Sequence, residues 1–447
     1  MRCHSKRSRA GICIAMGMAA VAAVLVSRTA GAELNGHGGA VMSIAVSPDG
    51  KSAISGGFDY SLIVWDLREQ SVLARLFGHD AAVNSVAYLP DGRHALSGSD
   101  DGTIALWDLR ERRVVHRFSG HEGKVASVAV SPDGRLAASG GWDRTVRLWD
   151  LVRRRQVYSV TRHTGNVNTV RFSPTGDQLI SGSYDGTIRV WRTADGIQEE
   201  VLSGHGFGIN AVAATTDGLL AASASIDATI RIWNLADGET STTLYGHDGP
   251  VLSVEFSTNG ALIASGGVDG YIELWDRNTG RNLHTFAGHR GGIWSLVFSA
   301  DGGRLYSGGT DGLIKIWDVE TGKEIGATGV AAVTATVFDE ALGRGAKLFR
   351  KCGACHTVTA DSAYKAGPTL YRLFGRRVAS IANYPYSEAL RSINLIWTEE
   401  TVNQLFNVGP DKFAPGTKMP LQRMTNSRDR DDLIKFLKRV TMPEQQL

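Results

Sequence analysis

From Leu34 onward the chain alternates short apolar runs with polar turns, and it does so at a fixed interval. His37, His79, His121, His163, His205, His247 and His289 stand 42 residues apart, and Trp65, Trp107, Trp149, Trp191, Trp233, Trp275 and Trp317 keep the same spacing. Six of the histidines follow a glycine, with Arg162 as the exception; five of the tryptophans precede an aspartate, with Arg192 and Asn234 as the exceptions. Between each His and Trp lie Val/Ile-rich runs broken by turns such as Ser47-Pro48-Asp49-Gly50 and Asp185-Gly186-Thr187. Alternation at period two, punctuated by Gly and Asp, predicts short strands, and a 42-residue unit of such strands predicts a four-stranded blade repeated seven times.

Each unit also places a Ser 18 residues after its His and an Asp 22 after: Ser55/Asp59, Ser97/Asp101, Ser139/Asp143, Ser181/Asp185, Ser223/Asp227, Ser265/Asp269 and Ser307/Asp311. Ser, His and Asp together suggest a hydrolytic triad. Seven copies argue otherwise, since a ring of equal blades needs each residue seven times and a catalyst does not. The glycine–histidine and tryptophan–aspartate units resemble the WD40 family over about 290 residues. The resemblance implies a seven-bladed β-propeller in which His, Ser, Asp and Trp form a buried hydrogen-bond relay. His94, His116 and His284 fall outside that register and read as surface or strand histidines.

The interval never changes, so no blade carries an inserted loop, which favours a docking platform over a catalytic propeller. Specificity should then sit at variable positions. The residue before the relay Asp is Phe58, Asp100, Trp142, Tyr184, Ile226, Val268 and Thr310. Phe58, Trp142 and Tyr184, with Trp294 nearby in the repeat, form a candidate partner-docking face; packing between adjacent blades is the alternative. The segment before Gly36-His37 is too short for a strand if a leader is removed after Ala32. The outer strand of the last blade is therefore expected from around Lys323–Thr328.

Beyond Glu340 the apolar spacing changes to that of helices. Ala341 to Lys351 places Leu342, Ala346 and Phe349 on one face; Thr398 to Asn407 carries Val402, Leu405 and Phe406; Asp429 to Val440 carries Leu433, Phe436, Leu437 and Val440. The first of these runs leads into Cys352-Gly353-Ala354-Cys355-His356. C-x-x-C-H is the attachment pattern of c-type haem: two thiols a helical turn apart add to the two vinyl groups, and the adjacent imidazole lies under the iron. A thioredoxin-like redox pair or a zinc half-site would be the alternatives, but no βαβ pattern surrounds the motif and no second zinc pair exists. Met419, in Gly416-Thr417-Lys418-Met419-Pro420, offers a second axial ligand.

Residues 341–440 resemble class I cytochrome c through Gly345-x-x-x-Phe349, the CxxCH, Gly367-Pro368, Phe374-Gly375-Arg376, Tyr384-Pro385-Tyr386, Trp397 and Pro415-Gly416-Thr417-Lys418-Met419. The resemblance implies one covalent haem c on Cys352 and Cys355, with His356 and Met419 as axial ligands of its iron. It implies that the Pro368 carbonyl accepts the imidazole N–H, and that Arg376, Tyr386, Trp397 and Thr417 hold the propionates. It also implies that Gly345 and Phe349 pack on Leu433 and Phe436. Leu390 and Leu405 depart from the family by replacing polar side chains near the Met side. Met424 and Met442 stand outside the motif and read as core or surface residues.

The expected organisation is a leader over 1–32, an all-β propeller over 33–328, a short linker over 329–339 and an all-α haem domain over 340–447. Arg2, Lys6, Arg7 and Arg9 precede an uncharged run from Ala10 to Val26 and then small residues at Ala30 and Ala32, which reads as a Sec-type signal peptide. An uncleaved anchor would be the alternative. Cleavage removes Cys3 and Cys13 and leaves Cys352 and Cys355 for haem, in keeping with a periplasmic location. Residues 340–447 hold 17 Lys/Arg against 10 Asp/Glu, and residues 33–339 hold 26 against 35. The basic haem segment should meet an acidic redox partner, or the acidic remainder of its own chain. Neither nucleic acid nor a membrane, except through a partner or an uncleaved anchor, is expected.

With both axial positions filled, iron is suited to outer-sphere transfer of single electrons. The chain reads as a carrier rather than an enzyme, with its propeller as scaffold. The other readings are a redox enzyme whose propeller holds a substrate or second cofactor, and a redox sensor or assembly scaffold.

Overall fold

The computed structural model describes residues 34–325 without a gap. Beyond them it describes residues 344–346, 348, 349, 352, 356–358, 367–381, 384, 386–417, 419 and 423–441. The proposed leader, the proposed linker, Cys355 and Met442 lie outside the described residues.

The alternating runs form twenty-eight strands in seven four-stranded antiparallel sheets. In the first blade β2 (Val41–Val46), β3 (Ser52–Gly57), β4 (Ser61–Asp66) and β5 (Ser71–Phe77) pair in chain order. Strands β6 to β25 build five further blades in the same order over residues 83–287. The second strand of each blade is buried almost throughout, for example Ala53 and Ile54 in β3. Apolar clusters then lie between neighbouring blades: Ile54, Leu62 and Leu76 of the first blade pack with Val83, Val86 and Trp107 of the second. Burying a side chain of this size contributes roughly 1.5–3 kcal/mol, so contact between blades holds the ring together.

The last blade comprises β26 (Ile293–Phe298), β27 (Arg304–Gly309) and β28 (Leu313–Asp318), with β1 (Leu34–Asn35) as its outer strand. This corrects the expectation that the outer strand of the last blade would come from around Lys323–Thr328. The edge of β28 is shared: Leu34 pairs Ile314 and Asn35 pairs Leu313, while Trp317 bridges Glu324 and the Ile325 amide donates to the Ile316 carbonyl at 2.8 Å. Two residues suffice because Leu34, 1% exposed, drops into the core with Ile314, Ile316, Ile44 and Trp65. Both ends of the propeller sequence thus lie in one sheet, leaving no open edge at the join.

The C-terminal region is helical. Residues 344–346, 348, 349 and 352 are helical, followed by α1 (Glu388–Ser392), α2 (Glu399–Val408), α3 (Pro410–Phe413) and α4 (Ser427–Thr441). Thr398 caps α2 reciprocally with Thr401, as its Thr-x-x-Thr pattern suggests. The first helical segment crosses α4 at Gly345. A Cβ there would lie 2.6 Å from Phe436 Cβ and closer still to the Asp432 carbonyl, so only glycine permits the approach. Phe349 and Phe436 meet beside it, with ring centroids 5.3 Å apart. Among the described residues no helix is long and apolar enough to cross a membrane.

Candidate functional site

The repeated Ser, His and Asp form a relay in every blade. Each His Nε2 lies 2.7–2.9 Å from its Ser Oγ. Each Trp Nε1–H donates to the same Oγ at 2.7–2.9 Å. The seven serines are fully buried. With the indole N–H donating to it, the hydroxyl gives its own proton to His Nε2, and Nδ1–H then donates to the Asp. For Asp227, burial pushes the carboxyl up, but bonds from Thr229 and His205 outweigh it and hold the group at about 2. Asp59, Asp101, Asp143, Asp185 and Asp311 are lowered in the same manner. No seryl oxygen is open to a substrate, so the relay is structural. Of the histidines outside the register, His94 bonds Asp91, His284 bonds the Glu320 carbonyl, and His116 sits against Phe118.

The four rim aromatics are exposed: Phe58 by 51%, Trp142 by 48%, Tyr184 by 60% and Trp294 by 39%. They do not pack as the filling between blades. Lys124 Nζ lies 4.6 Å from the Trp142 ring centroid, and Trp294 donates to Thr310 Oγ1 at 3.0 Å. Phe207, two residues after a relay histidine, is 66% exposed beside Tyr184; no repeat position marks it, because its counterparts in the other blades are not aromatic.

A cavity lies in the helical region, bordered at its mouth by Phe58, Tyr60 and Phe77 of the first blade. Cys352, His356 and Met419 all line it, among apolar walls that include Leu373, Val402 and Phe406. The His356 imidazole is fixed from behind. Its Nδ1 lies 2.8 Å from the Pro368 carbonyl oxygen, which can only accept. Nδ1 therefore carries the proton, and Nε2 keeps the lone pair that a metal requires. Gly367 makes the approach possible: a Cβ there would sit 2.8 Å from His356 Nε2 and nearer still to the ring carbon between the nitrogens. The His356 amide also donates to the Cys352 carbonyl at 2.8 Å, setting thiol and imidazole one helical turn apart.

The other expected residues gather at the same cavity. Arg376, Tyr386, Trp397 and Thr417 all line it. Arg376 donates to the carbonyls of Tyr371 and Thr369 at 2.7 and 2.8 Å, leaving its remaining N–H groups for an anion. Burial lowers Arg376 and raises the Tyr386 phenol. The Trp397 ring stacks on Phe413 at 6.0 Å, and Thr417 Oγ1 accepts from the Met419 amide at 3.2 Å. Leu390 and Leu405 stand in the cavity wall, which keeps it apolar. Met424 packs in the helical core instead. A slot with apolar walls, one thiol, one oriented imidazole and one thioether fits a covalently held haem. Among the described residues there is no other cluster able to hold a metal.

Family comparison agrees with this division. Residues 29–66, 70–108, 112–150, 154–192, 196–234, 238–276 and 280–318 each match the WD domain, G-beta repeat. Residues 342–441 match the cytochrome c family. The chain is 39% identical over 99 residues to cytochrome c of Cochliobolus lunatus, covering 22% of this chain and 91% of that protein. It is 39% identical over 99 residues to cytochrome c of Arabidopsis thaliana, covering 22% and 88%. It is 41% identical over 98 residues to cytochrome c of Gossypium barbadense, covering 22% and 87%. The chain belongs to the WD40-repeat family, as a seven-bladed propeller followed by a cytochrome c domain that carries covalently bound haem c and transfers electrons.

Proposed function

We propose that the protein is an exported, periplasmic carrier of single electrons whose propeller docks a redox partner, and that it is not itself an enzyme. The observation that carries this reading is the convergence of His356 and Met419 on one apolar cavity. Cys352 and Cys355 would hold the haem covalently, and His356 and Met419 would be the ligands to its iron. The haem supplies one-electron chemistry at its iron. The chain does the rest. Pro368 holds the His356 proton on Nδ1 and so keeps Nε2 available. The leucine-rich wall excludes water, and Arg376, Tyr386, Trp397 and Thr417 are placed to take up the propionates. A thioether ligand from Met419 is neutral and would favour the ferrous state. With His356 and Met419 both committed to the iron, the bound haem would supply outer-sphere electron transfer rather than a site for substrate. Trp142, Tyr184, Phe207 and Trp294 supply exposed apolar area for a protein partner, and the basic haem domain favours an acidic one.

The test is an optical spectrum of the matured protein from the periplasmic fraction, oxidised and reduced, with and without carbon monoxide. A low-spin spectrum indifferent to carbon monoxide is expected. Met419→Ala should then bind carbon monoxide readily, because it opens one axial position. Ready binding by the unsubstituted protein would mean an open site, and would favour an enzyme or a sensor.

A further inference from the structure

One blade departs from its six copies at the place where the haem cavity opens. Phe58, Tyr60 and Phe77 of the first blade border the same cavity as His356 and Met419. Equal blades need equal residues, so a local departure is informative about something other than the ring. At the position of Tyr60 four blades carry glycine, namely Gly102, Gly186, Gly270 and Gly312. The reason is backbone: the turn takes a left-handed φ in all seven blades, 67° at Tyr60, and Arg144 (67°) and Ala228 (68°) are the two other departures from glycine, but only the first blade places a bulky aromatic in this conformation. At the position of Phe77 the next blades carry Ser119, Thr161 and Ser203. No other blade places three aromatics at these positions. Strained backbone at a bulky side chain points to a use for that side chain.

The use is visible across the cavity mouth. The Phe77 ring meets Tyr384 of the haem domain edge-on, with centroids 6.5 Å apart and planes at 63°. Tyr384 in turn meets Tyr386 at 4.7 Å and 65°, and Tyr386 lines the haem cavity. Edge-to-face aromatic pairs at these spacings are favourable. Burial agrees: Tyr245, which occupies the Phe77 position of another blade, is 72% exposed, whereas Phe77 is half-buried.

We propose that the aromatic rim of the first blade is a built-in seat for the chain's own haem domain, holding Tyr384 against Phe77 and shielding that edge of the haem cavity from water. The seat leaves Trp142, Tyr184, Phe207 and Trp294, together with the still half-exposed Phe58, open to an outside partner. It stands independently of the docking role proposed above, and either can fail alone.

The experiment uses the full-length, haem-loaded protein carrying Tyr60→Gly and Phe77→Ser together. Both residues already occur at these positions in other blades, so the ring should fold normally. Hydrogen exchange over residues 378–392 should become several-fold faster than in the unsubstituted protein, and the reduction potential should fall as water reaches the haem edge and favours ferric iron. The reciprocal variant Tyr384→Ser should speed exchange over residues 57–61 and 76–79 of the propeller, in the other domain. Unchanged exchange across the contact in both variants, with normal thermal unfolding and spectra, would overturn the seat. Loss of the low-spin spectrum in the unsubstituted protein would strike the carrier reading instead and leave the exchange result standing.

Discussion

Ser181 accepts one hydrogen bond from Trp191 and meets His163 with another, and it is completely buried. Ser181→Ala removes both bonds at once and leaves an indole N–H and an imidazole nitrogen without their partner in the core. Buried polar groups deprived of a partner cost about 1–3 kcal/mol each. The variant should unfold at lower denaturant concentration, and the corresponding change in any other blade should cost a similar amount. A shift in one blade only would mean that its serine has a second task. The aspartates add a pH dependence. A carboxyl whose folded value is depressed contributes stability that is complete above its unfolded value and is lost as pH falls through the folded one. Asp227 is held at about 2, against 3.8 when free, and the five other lowered relay aspartates move in the same direction. Propeller stability should therefore hold at pH 5 and drain away between pH ~4 and ~2. Fluorescence of the buried relay tryptophans against pH would follow it. A midpoint well above pH 4 would assign acid unfolding to another group.

Elements differ in how plainly the sequence announces them. Seven blades were legible because each needs its own His and Trp, and an interval that never varies leaves no room for another register. The helices carrying Val402 and Leu433 were legible from their spacing. By contrast α1 and α3 hold five and four residues, too few for a periodic signal, and only Ser387 and Pro410 at their starts hint at them. The closing strand was misassigned for a related reason. Two residues with one apolar side chain carry no period, so the pairing of Leu34 with Ile314 could not be read in advance. Its importance is nonetheless checkable. Leu34→Ala should cost about 2–5 kcal/mol, as for other buried leucines, and should loosen exchange in β28 before the other blades. An unchanged midpoint would mean that Glu324 and Ile325 close the ring unaided. The crossing of the first helical segment with α4 makes a second element-level test. Gly345→Ala pushes a methyl into the Asp432 carbonyl and Phe436, and such overpacking costs about 1–3 kcal/mol. The damage should be confined to the haem domain and appear as earlier loss of the haem spectrum on heating.

At the scale of the whole molecule the two domains have opposite charge, and the near-neutral total conceals it. Between residues 33 and 447 the net charge is only slightly negative, yet residues 340–447 have seven more basic than acidic groups. Salt at physiological strength screens charge beyond about 8 Å, so an incoming molecule feels the domain it approaches rather than the sum. If electrons leave through the exposed haem domain, a small anionic oxidant should react faster than a cationic one of equal driving force. That advantage should shrink as salt is added. If the acidic propeller governs the approach, the order reverses and the cationic reagent wins. The comparison needs only stopped-flow traces of the reduced, full-length protein at two ionic strengths. It also bears on the partner: an anionic preference supports an acidic protein that meets the haem domain directly, whereas a cationic preference would place the encounter on the propeller rim, with Trp142, Tyr184 and Trp294 as its apolar anchors.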